Sequence, residues 1–372
     1  MKVLFIAPVP PPVNGQSKAS KVLLDGLINC KIDVTVINTN KENLKSGFDS
    51  FGRVWDVLKL LLDIWKHRNN HDVIYISLAE SFLGNLRDIF IYIICFKHIS
   101  KVHVHMLGGF GMNYILTKTW ILSVINAFFI KRFAGVIVEG EVNYKLFSHF
   151  IDSNKVHIIP NFAEDYLFAE TKEISSKFSN LDPLQILYLS NLLPGKGYLE
   201  LVKAFLDLPL DLKCNFKLVF VGGFESLKDQ NDFLSLISHD QRISYLGKFI
   251  DGEEKRNLYN SSHLFCLPTY YPYEGQPISI IEAYSMGCVV ISTNHSGIPQ
   301  VFSEENGFLV EIKSVESIKN LLSNFMFHLD KLEIIAIKNR DLAQSKFRTS
   351  IFQNDIIQVF LKNSINKPLF HA

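Results

Sequence analysis

Two doubly wound α/β domains, each built on a parallel sheet and facing the other across a cleft, are what this sequence predicts. Three observations carry the prediction. The chain has 372 residues, too many for one ordinary core and enough for two domains of about 150 to 200 residues. Short runs of Val, Ile and Leu alternate with segments whose apolar residues recur at helical spacing, as expected of strands buried on both faces with helices between them. The alternation stops in a polar stretch near the middle of the chain and then starts again.

In the first half the runs Val3–Ala7, Val34–Ile37, Val73–Ser77, Val102–Met106, Val136–Val138 and Val156–Ile159 are expected strands. Between the first two, Ala19, Val22, Leu23 and Leu27 share one helical face, so the loop Pro8–Gln16 ends at a helix start, where free backbone N–H groups can meet an anion. The stretch Ala163–Asp182 carries Glu164, Asp165, Glu170, Lys172 and Glu173 with little periodicity, and is expected to connect the halves. The second set of strands is Leu184–Leu189, Leu218–Val221, Ile243–Leu246, Leu264–Leu267, Val289–Ser292 and Gly307–Val310. The expected domains are therefore 1–165 and 183–345, with 346–372 as a C-terminal helix packing back on the first domain. The tail beyond about Asn363 is expected to fray.

Bulk properties exclude more than they name. Lys and Arg number 38 against 37 Asp and Glu, for a net charge of +1, so no global field recruits nucleic acid. Five cysteines (Cys30, Cys95, Cys214, Cys266, Cys288) form no C-x-x-C spacing. The odd number in mostly apolar runs points to reduced thiols in a cytoplasmic setting rather than a disulfide or metal site. The apolar run before Pro8 is far too short for a signal-peptide core, and Ile89–Phe96 and Trp120–Ile130 fall below the roughly 18 residues of a spanning helix. Both are followed by bases, Lys97, His98 and Lys101 in one case and Lys131 and Arg132 in the other. That pattern suits a peripheral contact with the inner face of an anionic membrane, although short apolar runs are more often core.

The chemistry concentrates in Tyr273-Glu274-Gly275-Gln276-Pro277-Ile278-Ser279-Ile280-Ile281-Glu282-Ala283. A buried strand, Leu264–Leu267, leads into a loop broken by Gly275 and Pro277, and apolar residues from Ile278 to Met286 then recur at helical spacing. Glu274 thus lies on a loop and Glu282 inside a helix, while the N–H groups of Gln276, Ile278 and Ser279 stand at a helix start suited to a diphosphate. Elsewhere, Leu193-Pro194-Gly195-Lys196-Gly197 follows the first strand of the second half, Ile158-Ile159-Pro160-Asn161 precedes the polar stretch, and Ser296-Gly297-Ile298-Pro299-Gln300 comes after Gly287-Cys288-Val289-Val290. Two histidines, His103 and His105, share one face of a strand ahead of Gly108-Gly109.

Together these motifs resemble the retaining GT-B glycosyltransferases of glycosyltransferase family four, over essentially the whole chain. The resemblance implies metal-independent transfer of a hexose-type sugar, with retention, from a nucleotide-diphosphate donor such as a UDP- or GDP-sugar. No cofactor is implied. The acceptor it implies is a glycan or lipid-linked glycan, as in bacterial surface polysaccharide or lipopolysaccharide synthesis. By the same likeness Glu274 holds donor-sugar hydroxyls, Glu282 accepts hydrogen bonds from the ribose diol, Lys196 neutralises the diphosphate, and His105 contacts the donor sugar at a strand end. Gly15, Asn191 and Gly222 join Gly275, Gln276, Pro277, Ile278 and Ser279 around the donor, and Tyr245-Leu246-Gly247-Lys248 lies near the base.

Two departures stand out. Related enzymes place Gly-Arg where this chain has Ser190-Asn191, and a Gly-Gly pair where it has Gly15-Gln16. Asn191 donates a hydrogen bond but no charge. That keeps open a non-catalytic GT-B partner subunit, and a GT-B sugar-nucleotide epimerase or hydrolase is a further alternative. A nicotinamide dehydrogenase is disfavoured, because no G-x-G-x-x-G follows the first strand and the second ends in Asn38. Glu139 and Glu141 are expected on a solvated loop.

Overall fold

The computed structural model describes residues 1–11, 13–40, 50–108, 111–247 and 250–365. The expected fraying beyond Asn363 falls largely outside these, as do Gly109 and Lys248. The chain divides into two compact units, 1–161 with 349–372, and 162–348.

The first unit runs β1 (Lys2–Ala7), α1 (Gly15–Asn29), β2 (Asp33–Asn38), α2 (Ser50–His67), β3 (Val73–Ser77), α3 (Phe82–Ile94), β4 (Val102–Met106), α4 (Gly111–Lys118), α5 (Trp120–Ile130), β5 (Gly135–Val138), α6 (Glu141–Ser148) and β6 (Val156–Ile158). All six strands are parallel in the order β2-β1-β3-β4-β5-β6. From β1 the chain steps one way to β2 and thereafter the other way, so right-handed crossovers put α1 on one face and α2 to α6 on the opposite one. Leu4, Ile6, Ile74, Ile76, Val102 and Val104 face the second group and form its core with Ile64, Ile89, Leu122 and Phe129. A capping box between Asn14 and Ser17 fixes the start of α1, each side chain bonded to the other's backbone N–H.

The second unit runs α7 (Thr171–Phe178), β7 (Leu184–Leu189), α8 (Tyr198–Leu206), α9 (Leu210–Lys213), β8 (Phe216–Val221), α10 (Leu227–Ile237), β9 (Ile243–Tyr245), α11 (Gly252–Asn260), β10 (Leu264–Leu267), α12 (Ile278–Ser285), β11 (Val289–Thr293), β12 (Gly307–Val310), α13 (Val315–Ser323) and α14 (Leu329–Lys346). Its six parallel strands lie in the order β12-β11-β10-β7-β8-β9. Two parallel six-stranded sheets with interleaved helices make this the α/β, GT-B type of fold. Each expected strand is present, with ends displaced by two residues at most.

The polar stretch 163–182, expected to connect the halves, instead belongs to the second unit. Of its charges Lys172, Glu173 and Lys177 lie on α7, whose Ile174 and Phe178, four apart, are buried in that unit's core. The last helix, α15 (Thr349–Ile365), belongs to the first unit. It packs along α1, where Gln353 Nε2 donates to the carbonyl of Val22 at 2.8 Å.

Candidate active site

In the second unit β7, β8 and β9 progress outward, after which the chain returns past β7 to lay down β10. Loops leaving the carboxyl ends of β7 and β10 therefore diverge, and the crevice between them is where open α/β sheets bind ligands. Lys196 comes from the first loop and Glu274 from the second. Lys196 Nζ lies 2.8 Å from both carboxylate oxygens of Glu274, and Thr269 Oγ1 donates to Oε2 at 2.7 Å. The Lys196 side chain keeps 13 % exposure and that of Glu274 7 %, so the pair is sheltered yet open to an entering ligand. Tyr271 puts its ring centroid 5.0 Å from Nζ, a distance at which the ring face attracts the ammonium.

Backbone geometry makes room for this pair. Gly197 has φ +80°, and a Cβ there would stand 2.2 Å from the carbonyl oxygen of Pro268. The two loops approach that closely only with glycine in place. The Glu274 loop is latched from the other side, its carbonyl accepting from Ser296 Oγ at 2.7 Å and Gly297 N at 3.2 Å. Gln276 and Pro277 are buried, Gly275, Ile278 and Ser279 half-buried. The helix α12 opens at Ile278, after Pro277.

Glu282 sits one helical turn deeper, 2 % exposed. Lys255 Nζ donates to its Oε1 at 2.7 Å and the Tyr259 hydroxyl to its Oε2 at 3.1 Å. Lys255 and Tyr259 are four apart on α11, so both face α12. Burial, and then the charge of Glu282, hold the Tyr259 hydroxyl well above the usual phenol range. Neither partner was legible in the sequence, where Lys255 and Arg256 stand side by side in a polar helix; Arg256 turns instead to Glu173 at 2.8 Å. A carboxylate oxygen can accept more than one hydrogen bond.

The other expected residues scatter. Asn191 is exposed at the end of β7, and its carbonyl accepts from the Tyr188 hydroxyl at 3.3 Å. Gly222 adopts φ +149°, and a Cβ would collide with the Ser190 carbonyl oxygen. Its own carbonyl accepts from the Tyr245 hydroxyl at 2.8 Å, tying β9 to the same edge. In the first unit, Gly15 is exposed and the Gln16 side chain donates to Ser77 Oγ at 2.9 Å and the Leu78 carbonyl at 2.8 Å.

His105, expected to face a donor sugar, is fully buried. Its Nδ1 lies 2.8 Å from the Tyr75 hydroxyl and its ring 6.1 Å from that of Phe352 on α15. Burial pushes its pKa down to about 3, and that of His103 to about 4; both are therefore neutral at pH 7. Glu139 is also not on a solvated loop. It is 4 % exposed and accepts from Asn161 Nδ2 at 2.8 Å. Cys95, Cys266 and Cys288 are buried, while Cys30 and Cys214 are exposed. Among the described residues no three His, Cys, Asp or Glu side chains are grouped to hold a metal ion.

A glycosyl transferases group 1 domain is matched over residues 170–338, the interval that holds both lysine–glutamate pairs. O-antigen chain mannosyltransferase B of Escherichia coli is 29 % identical over 136 residues, 36 % of this chain and 34 % of that protein. The UDP-Gal:alpha-D-GlcNAc-diphosphoundecaprenol alpha-1,3-galactosyltransferase of the same organism is 27 % identical over 184 residues, 46 % of each. The chain thus spans less than half the length of the curated relatives it matches. Among solved structures, HepE of Anabaena in complex with UDP superimposes with a TM-score of 0.70 at 17 % identity, over 97 % of this chain and 100 % of that one. At that identity the likeness speaks for the fold.

Proposed function

We propose that this chain is a retaining glycosyltransferase that moves a hexose-type sugar from a nucleotide-diphosphate donor to a glycan or lipid-linked glycan, in bacterial surface polysaccharide synthesis at the inner face of the cytoplasmic membrane. The observation that carries the reading is the Lys196–Glu274 pair, both oxygens at 2.8 Å from one ammonium, held in the crevice between β7 and β10. Support for the chemistry comes from the group 1 domain at 170–338, and support for the setting from relatives named for O-antigen and diphosphoundecaprenol-linked substrates.

In this reading the entering diphosphate draws the Lys196 ammonium from Glu274. The lysine then meets negative charge as it develops on the departing nucleotide, a stabilisation of several kcal/mol where water is scarce. The freed Glu274 carboxylate, still oriented by Thr269, accepts hydrogen bonds from donor-sugar hydroxyls. Glu282, one helical turn into α12, accepts from the ribose diol. Lys196 supplies the positive charge that a metal ion supplies in other phosphate-releasing sites, so no metal is required.

Thermal unfolding in the presence of UDP, GDP and their sugars tests the binding half, because a ligand of the native state raises stability by RT ln(1 + [L]/Kd). We expect one nucleotide series to raise Tm, and Lys196→Ala both to blunt that shift and to lower donor turnover at least about 100-fold. Turnover at the parental rate in Lys196→Ala would refute the assignment. A Tm shift without turnover toward any acceptor would favour the partner-subunit reading, to which the uncharged, exposed Asn191 points.

A further inference from the structure

The first unit covers the two faces of its sheet unequally. On α1 and α15, Ile28 is the one large apolar side chain left exposed among the described residues. On the opposite face, three helices each turn an apolar stripe outward. Trp55, Leu58, Leu62 and Trp65 follow one another along α2 at intervals of three, four and three, and are 45 to 72 % exposed. Leu83, Phe90 and Ile93 do the same on α3 at 53 to 76 %, and Trp120, Val124 and Phe128 on α5 at 41 to 80 %. Spacing of this kind puts each set on one side of its helix. Since α3 packs against both α2 and α5, and the rings of Phe96 and Phe128 stack with centroids 5.9 Å apart, the stripes adjoin. All three tryptophans of the chain stand here.

Charge decides what covers this face. From Ser81 to Arg132 the sequence carries six Lys and Arg against one acidic residue, a net of +5 compared with +1 for the whole chain. The one acid, Asp88, is buried against Arg87 at 2.7 Å, which leaves Lys97, Lys101, Lys118, Lys131 and Arg132 uncompensated within that stretch. Arg132 lies over the exposed ring of Phe128, 3.8 Å from its centroid, so base and aromatic share one edge. A second copy of the same face would bring like charges together, whereas anionic headgroups complement the bases while tryptophan rings settle at the headgroup boundary. Among the described residues no single helix is long and apolar enough to cross a membrane. The eleven residues of α5 span about 16 Å, and Leu122, Asn126, Phe129 and Ile130 on its other side are buried in the unit.

We propose that the α2, α3 and α5 face docks flat on an anionic bilayer, its aromatic side chains at the headgroup level and its bases on lipid phosphates. This surface stands whether or not the chain transfers sugar.

Because every tryptophan lies on the face, intrinsic fluorescence of the unlabelled full chain reads docking directly. With vesicles containing about 30 mol % phosphatidylglycerol in phosphatidylcholine we expect a blue shift and co-sedimentation, both fading as salt shortens the Debye length from about 10 Å at 0.1 M. Trp120→Ser with Phe128→Ser should weaken vesicle binding about tenfold or more. Lys118→Glu with Lys131→Glu should abolish the preference for the anionic lipid. Neither double variant should alter the nucleotide-induced Tm shift of the second unit, which separates failure here from failure of the transferase reading. Absence of binding to anionic vesicles at low salt would overturn the proposal. So would parental binding by both double variants, or a dimer that Trp120→Ser with Phe128→Ser converts to monomer without any vesicle binding by the parent.

Discussion

Both sheets are parallel and six-stranded and each reverses direction once, the first after two strands and the second after three, yet the crevices at their reversal points hold opposite chemistry. In the second unit an ammonium and a carboxylate bridge the loops after β7 and β10. In the first, the corresponding gap lies between β1 and β3, and the side chain that bridges it is neutral: Gln16 donates to a hydroxyl and a carbonyl. Strand order provides a crevice in both cases; residue type decides what can enter. An ion pair with residual exposure can exchange its partner for a phosphate, whereas an amide on neutral acceptors offers a diphosphate no charge. The matched group 1 domain covers the charged crevice and not the neutral one.

By that contrast the two lysine–glutamate pairs of the second unit divide into one that opens to a diphosphate and one that holds without opening. Lys255 with Glu282 is the holding part, with side-chain exposures of 5 % and 2 %. Lys255→Met strands a buried carboxylate and should cost about 3–5 kcal/mol of stability, measurable by urea unfolding, with partial recovery when Glu282→Gln is added. A Lys255→Met protein as stable as its parent would mean that this pair, too, is free to open. A smaller effect is expected at Thr269, fully buried and donating to Glu274 at 2.7 Å. Hydrogen bonds to charged groups contribute about 1.5–3 kcal/mol, so Thr269→Val should lower kcat/KM for the donor about tenfold to a hundredfold while Thr269→Ser restores it. Loss in both variants would assign Thr269 to packing instead.

The same contrast explains what the sequence disclosed. Strands buried on both faces are written as unbroken runs such as Val289-Val290-Ile291 and Val73-Ile74-Tyr75-Ile76, with no polar alternation to confuse the reading. The Lys196 and Glu274 loops announce themselves through Gly195, Gly197, Gly275 and Pro277, because close approach of two loops demands unusual backbone. Lys255 gives no such sign; its role arises where α11 meets α12, and nothing in Lys255-Arg256 says which cation turns inward. α7 was hidden for the opposite reason, its two buried apolar residues being outnumbered by polar and charged ones. His105 read as a ligand-facing residue because its strand end is where ligands bind, but α15, 244 positions later at Thr349, closes over that side of the strand.

The smallest effect tests the neutral side of the comparison. Gln16→Leu removes two uncharged hydrogen bonds worth about 1 kcal/mol each and leaves Ser77 Oγ and the Leu78 carbonyl to find other partners. For a unit of this size that corresponds to a fall in Tm of roughly 2–4 °C per kcal/mol. The nucleotide-induced shift should survive intact, since in this account no part of the diphosphate's charge is met by Gln16. Calorimetric scans of Gln16→Leu and Lys196→Ala with and without whichever of UDP and GDP raises the parental Tm set the two crevices side by side. Equal loss of that shift in both would mean that the neutral crevice shares the donor, and the division of labour between the two reversal points would fall.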